Sequence, residues 1–200
     1  MRVAFLAIAV LLVVLFFSLK SRASCRVVMI GDSLAYRLDR SGVLAKALGS
    51  SCELQSFVVP GSSMLSWANG EHDAVLHRAL AALRPGDVLL IVLGTNDCCM
   101  KPHVIKNEPL KLRLFLHQLG TARMVWAVPP KLRRRCQENV KPFVNMLRAA
   151  GVDMIDSQGI NVDMWNDGIH PSDRGQQVWA RFIVAELRAR SLLGGGLQAD

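Results

Sequence analysis

No unit of the 200-residue chain recurs at a fixed period, which excludes solenoids and propellers, whose self-similar units run to about 20–50 residues. Acids are in the minority, 16 against 24 lysines and arginines, and apolar residues still make up 51% of the chain. That composition excludes a disordered tail or a collagen-like rod and fits one globular domain. Zinc-spaced cysteine pairs are missing as well. Cys98 and Cys99, with His103 close behind, have no second ligand pair, so no metal site is expected. The one dense basic run, Lys131, Arg133, Arg134 and Arg135 after Pro129 and Pro130, has no aromatic residues among its charges. It reads as a solvated loop and gives no case for nucleic-acid binding.

A long apolar run occurs at one place. Residues Val3 to Phe17 are uninterruptedly apolar and are followed by Ser18, Lys20, Ser21 and Arg22. The length matches the apolar region of an export signal, about 7–15 residues, and reaches only the lower edge of a bilayer-spanning helix when extended to Leu19. Residues 1–23 are therefore expected to be a signal peptide or an N-terminal membrane anchor, with Ser21 and Ala23 as small residues before a cleavage point at Ser24. Association with a membrane would run through residues 3–19, and the protein is expected to be exported: periplasmic, secreted or anchored on the outer face of the cytoplasmic membrane. Removing residues 1–23 takes away Arg2, Lys20 and Arg22 and no acid, lowering the net charge from +8 to about +5. All five cysteines, Cys25, Cys52, Cys98, Cys99 and Cys136, lie beyond that point. The odd count leaves at least one unpaired, and in an oxidising compartment Cys136 has either Cys98 or Cys99 as a partner.

Residues 24–192 read as one domain and 193–200 as a frayed tail. Short apolar runs alternate with longer amphipathic ones, the pattern of an α/β domain with a mostly parallel sheet. Strands are expected at Val27–Ile30, Leu54–Val59, Asp87–Leu93, Met124–Val128 and Val152–Ile155. Helices are expected at Ser33–Leu48, Glu71–Leu83, Leu110–Leu119, Cys136–Ala150 and Arg174–Ser191. The third strand, apolar without alternation from Val88 to Leu93, belongs at the sheet centre, covered on both faces.

Ligands of such sheets bind at the carboxyl ends of the strands, and those ends carry chemistry here. Gly31-Asp32-Ser33 follows the first strand, Pro60-Gly61-Ser62 the second and Gly94-Thr95-Asn96-Asp97 the third. Asp167-Gly168-Ile169-His170-Pro171 precedes the last helix. Acyl transfer needs a nucleophile, a base, an acid to orient the base and donors for the oxyanion. Ser33, where a strand turns into a helix, is placed as the nucleophile, His170 as the base and Asp167 as its orienting acid. The backbone N–H groups of Ser33 and Gly61, with the Asn96 side-chain amide, supply three oxyanion donors. Each segment taken alone is an ordinary turn; their joint fall at strand ends and helix starts of one pattern gives them weight. His72, His77, His103 and His117 lack such company and read as surface or helix-face residues.

These blocks resemble the four ordered motifs of the SGNH hydrolases, the GDSL-type esterases and lipases, over residues 26 to about 190. The match is carried by Gly31-Asp32-Ser33-Leu34, Gly61, Gly94-Thr95-Asn96-Asp97 and Asp167 through Pro171, read on through Ser172 and Asp173. The resemblance implies a flavodoxin-like three-layer α/β/α sandwich with a five-stranded parallel sheet in order 2-1-3-4-5. It also implies a Ser-Asp-His triad with Ser, Gly and Asn oxyanion donors, and neither cofactor nor metal. The Gly-x-Ser-x-Gly elbow of the α/β-hydrolases is absent. Cys98-Cys99 directly after the third block departs from the pattern, either lining the site or packing.

The expected function is a serine esterase acting on short-acyl, acetyl-type esters of cell-envelope or extracellular carbohydrate, with a small-molecule or polysaccharide ester as partner. A lipid esterase, lysophospholipase or thioesterase, a sugar O-acyltransferase using the same triad, and an inactive membrane-anchored binding protein are the alternatives.

Overall fold

The computed structural model describes residues 25–99 and 108–193. The expected signal or anchor segment, His103 and the tail from residue 194 lie outside the described residues. No helix among the described residues is long and apolar enough to cross a membrane.

Five strands, β1 (Cys25–Gly31), β2 (Cys52–Val58), β3 (Val88–Val92), β4 (Met124–Ala127) and β5 (Met154–Ile155), form one parallel sheet in the order β2-β1-β3-β4-β5. Each strand alternates its side chains between two cores. Val28 and Ile30 of β1, Leu89 and Ile91 of β3 and Trp126 of β4 face one. Val27, Met29, Val88, Leu90, Val92, Val125 and Ala127 face the other. Because both faces are covered, β3 needs apolar residues at every position, and all five are buried.

The first core is closed by α3 (Met64–Ala68), α4 (Asp73–Ala82), α5 (Thr95–Cys99), α6 (Glu108–Leu119) and α7 (Arg134–Ala149). The second is closed by α1 (Ser33–Arg40), α2 (Val43–Leu48) and α8 (Asp173–Ala189). The three-layer sandwich and the strand order are those expected.

Three details differ from the sequence reading. The expected helix over residues 33–48 is two helices, because the chain turns at Ser41-Gly42, where the Ser41 N–H and hydroxyl both donate to the Arg37 carbonyl. A five-residue helix, α3, opens on a Ser63/Ser66 capping box. The third block is helical, not a loop, beginning at Thr95.

Three of the four tryptophans, Trp67, Trp126 and Trp179, are fully buried. Their indole N–H groups donate to the Ser62 hydroxyl (2.9 Å), the Leu93 carbonyl (2.8 Å) and the Ser157 hydroxyl (2.8 Å), as buried polar groups require. Cys25–Cys52 and Cys99–Cys136 form disulfides and Cys98 is the free, buried thiol. Cys136 thus pairs with Cys99, and Cys98 packs in the core.

Candidate active site

β1 ends at Gly31, where a side chain would overlap the Val92 carbonyl oxygen and the Ala35 methyl. Glycine there lets β1 lie against β3 as the chain turns into α1. Asp32 caps α1 by accepting from the Leu34 N–H at 2.8 Å. Ser33 is thus the first helical residue, with its own N–H among those that helix geometry leaves without an intrahelical acceptor.

The second half of the site comes from a tight hairpin before α8. Met164 bridges Pro171, the Trp165 N–H donates to the His170 carbonyl at 2.8 Å, and the Gly168 N–H donates to the Trp165 carbonyl at 2.8 Å. One Asp167 oxygen, Oδ1, accepts from the Ile169 and His170 N–H groups at 2.8 and 2.9 Å. Its other oxygen, Oδ2, lies 2.7 Å from His170 Nδ1. His170 Nε2 lies 3.0 Å from Ser33 Oγ. The Arg133 N–H donates to the Gly168 carbonyl at 2.6 Å. The basic run read as a solvated loop therefore buttresses this hairpin, and its last residues begin α7.

A hydroxyl, an imidazole and a carboxylate in series make a proton relay. With the Nδ1 proton on the Asp167 side, Nε2 has a lone pair for the Ser33 proton. Burial alone would raise the Asp167 carboxyl. The hydrogen bonds from the His170 ring, the His170 N–H and the Ile169 N–H outweigh it and hold the group at about 2.

Gly61 sits at φ +82° in the turn after β2, a conformation that favours glycine whatever else the residue does. Asn96, on the first turn of α5, donates through Nδ2 to the Ser62 carbonyl at 2.7 Å. That bond ties the third block to the second and leaves the other amide proton free to point elsewhere. All five sequence-placed residues, Ser33, Gly61, Asn96, Asp167 and His170, therefore lie at the carboxyl end of the sheet. The structure shows the Ser33–His170–Asp167 chain and the Asn96–Ser62 link directly.

Several supporting groups were missed in the sequence. Asp97, buried, accepts from the Met64 and Leu65 N–H groups at 2.9 and 3.3 Å and so caps α3 from α5. Burial pushes its carboxyl up against those hydrogen bonds. Burial also raises Asp32, against the Leu34 N–H and with help from Asp97, to about 7. Glu108, buried beside Asp97, is raised to about 7 for the same two reasons. Burial, followed by these three acids, pushes the Cys98 thiol up. From α7, Asn139 donates to the Cys98 carbonyl at 2.7 Å and Cys136 bonds Cys99, so α5 is fastened on both sides. Asp97 was visible as the last residue of the third block, but nothing in its spacing shows which N–H groups it holds.

His72 is not a plain surface residue: it is half-buried, its Nε2 lies 3.1 Å from Ser66 Oγ and its ring stands edge-on to Trp67. His77 and His117 are exposed on their helices, as expected. No cluster of three or more metal-ligating side chains occurs among the described residues, and Cys99 is committed to a disulfide.

No family model and no curated protein matches the chain. Solved structures do. An inhibitor-bound aryl esterase from M. smegmatis is 18% identical at a TM-score of 0.62, covering 82% of this chain and 99% of its own. A carbohydrate acetylesterase family member from Sinorhizobium meliloti is 16% identical at 0.64, covering 86% and 100%. A member of the lipolytic G-D-S-L family from Veillonella parvula is 14% identical at 0.57, covering 83% and 99%. The chain has the SGNH hydrolase fold.

Proposed function

We propose that the protein is a serine esterase hydrolysing short-acyl esters of carbohydrate. The observation that carries this is the unbroken series Ser33 Oγ, His170 Nε2, His170 Nδ1 and Asp167 Oδ2, with gaps of 3.0 and 2.7 Å. In the reaction, His170 takes the Ser33 proton as Oγ attacks the ester carbonyl. The Ser33 and Gly61 N–H groups and the Asn96 amide stabilise the oxyanion. The intermediate collapses, His170 returns the proton to the leaving alkoxide, and the alcohol departs. Water, deprotonated by His170, then attacks the acyl-serine, and as the acyl–oxygen bond breaks His170 returns that proton to Ser33 Oγ and the acid is released. Asp167, ionised down to a pH of about 2, keeps the imidazole in the required tautomer and stabilises the imidazolium.

A polar alcohol is supported by the cleft at Ser33, about 430 Å3, whose other walls are Tyr36, Arg37, Arg40, Ser41, Asp173 and Gln176 around His170, and a short acyl group by the acetylesterase among the structural neighbours. Among the described residues the cleft lining holds no aliphatic side chain. A carbohydrate alcohol is supported by the acetylesterase among the structural neighbours, and export by two disulfides, which persist in oxidising compartments.

The test is hydrolysis of p-nitrophenyl acetate, butyrate, octanoate and palmitate by the full chain in mild detergent, beside Ser33→Ala. The expected result is a rate that falls steeply with chain length and drops by on the order of 10^4-fold in the variant. Activity that survives in a folded Ser33→Ala protein overturns the mechanism, and a peak at octanoate or beyond overturns the substrate class.

A further inference from the structure

Residues of an α-helix advance by about 100° each, so Ser33, Tyr36, Arg37 and Arg40 share one face of α1 within about 100°. The opposite face, Leu34, Ala35 and Leu38, is buried against the sheet. Those four outward residues line the cleft that also holds His170. Arg37 stands about 6 Å and Arg40 about 10 Å along the helix from Ser33. Among the described residues neither guanidinium has a carboxylate within ion-pair distance, in contrast to Arg26 and Arg190. Asp173, the acid lining the cleft, pairs with neither. The cleft beside the nucleophile thus presents two positive charges against one negative. Tyr36, 41% exposed, adds a flat amphipathic ring suited to the apolar face of a sugar.

We propose that Arg37 and Arg40 bind a carboxylate on the alcohol side of the substrate, so that the preferred substrates are short-acyl esters of acidic, uronate-type carbohydrate. This rests on the esterase reading above. A guanidinium fork matches a carboxylate by two parallel hydrogen bonds. A phospholipid headgroup would offer the same charge, but its fatty acyl chain would find no aliphatic side chain among the described residues lining this cleft.

The experiment compares acetate release from O-acetylated tri-galacturonate and from the same trimer with its carboxyls methyl-esterified, which removes the negative charges and keeps the acetyl esters. For the wild-type chain kcat/KM is expected to favour the charged trimer by about tenfold, through KM. The ratio should fall towards one in Arg37→Gln/Arg40→Gln and in high salt, which screens an exposed cleft. A merely structural role for the arginines would lower both substrates together and leave the ratio, overturning the assignment. A wild-type ratio of one or less also overturns it, while Ser33-dependent hydrolysis of p-nitrophenyl acetate in the same preparation keeps the esterase reading standing. Faster Ser33-dependent release of fatty acid from lysophosphatidylcholine than of acetate from the trimer overturns it in favour of a lipid phosphate.

Discussion

At the amino ends of β1 and β2 a disulfide joins Cys25 to Cys52, in register across the two strands, and Arg26 binds Asp87 at 2.7–2.8 Å through two nitrogens, both largely buried. At the carboxyl ends of the same sheet the acids Asp32, Asp97 and Glu108 are buried and raised by that burial, and both carboxylate oxygens of Glu108 have no hydrogen-bond partner among the described residues. One end is closed by a satisfied ion pair and a disulfide; the other holds buried carboxyls whose desolvation costs stability. Stability and chemistry are thus drawn from opposite ends of one sheet. The well-satisfied end offsets the cost of those buried acids.

The contrast can be broken most sharply at Asn96. Asn96→Ala removes a proposed oxyanion donor and the tie to Ser62, so kcat on a short aryl ester should fall by about a hundredfold, with little change in the unfolding midpoint. An equal loss of both would make Asn96 a structural residue and erase the division.

The two disulfides sharpen it further. They span sequence separations of 27 and 37 residues, so loop-closure entropy gives each about 3–4 kcal/mol. Cys25→Ser/Cys52→Ser and Cys99→Ser/Cys136→Ser should therefore lose similar stability in denaturant titrations. Only the second pair should also lower kcat, because it releases α5 and with it Asn96. Identical kcat in both would place the site outside the reach of α5.

The effect of pH concerns Asp32. Its folded value, raised from 3.8 to about 7, means that between those limits the unfolded chain releases a proton the folded chain keeps. Rising pH therefore favours unfolding over that window by up to roughly 1.4 kcal/mol per pH unit. Asp32→Asn retains an oxygen to cap α1 and does not titrate. Its stability relative to wild type should climb from pH 4 to 7 and be flat above. A gap independent of pH would mean that Asp32 is ionised in the folded protein.

Much of this was legible in the sequence because the strands are covered on both faces: Val88 to Leu93 could be read as a central strand from its unbroken apolar run alone. The candidate site was legible because its residues cluster where strands end, so locating β1 and β3 drew attention to Ser33 and Asn96. What escaped notice has local causes. Five residues, Met64–Ala68, are too few to show a helical period, and the break at Ser41-Gly42 hides inside a run that is apolar-periodic on both sides. Cys98 and Cys99 are adjacent, and in a helix neighbours point about 100° apart. Only the placement of α7 decides which of them meets Cys136. The buried acids Asp97 and Glu108 could not be foreseen, since burial of a carboxylate depends on which N–H groups the fold brings to it.

The tryptophans divide along the same line. Three are sealed in the cores, whereas Trp165 is 48% exposed and sits on the hairpin whose backbone grips His170. The molecule thus carries a built-in optical reporter: a collisional quencher in solution reaches the fluorescence of this one indole and not the other three. Its emission follows the hairpin that holds the imidazole, without any label being added.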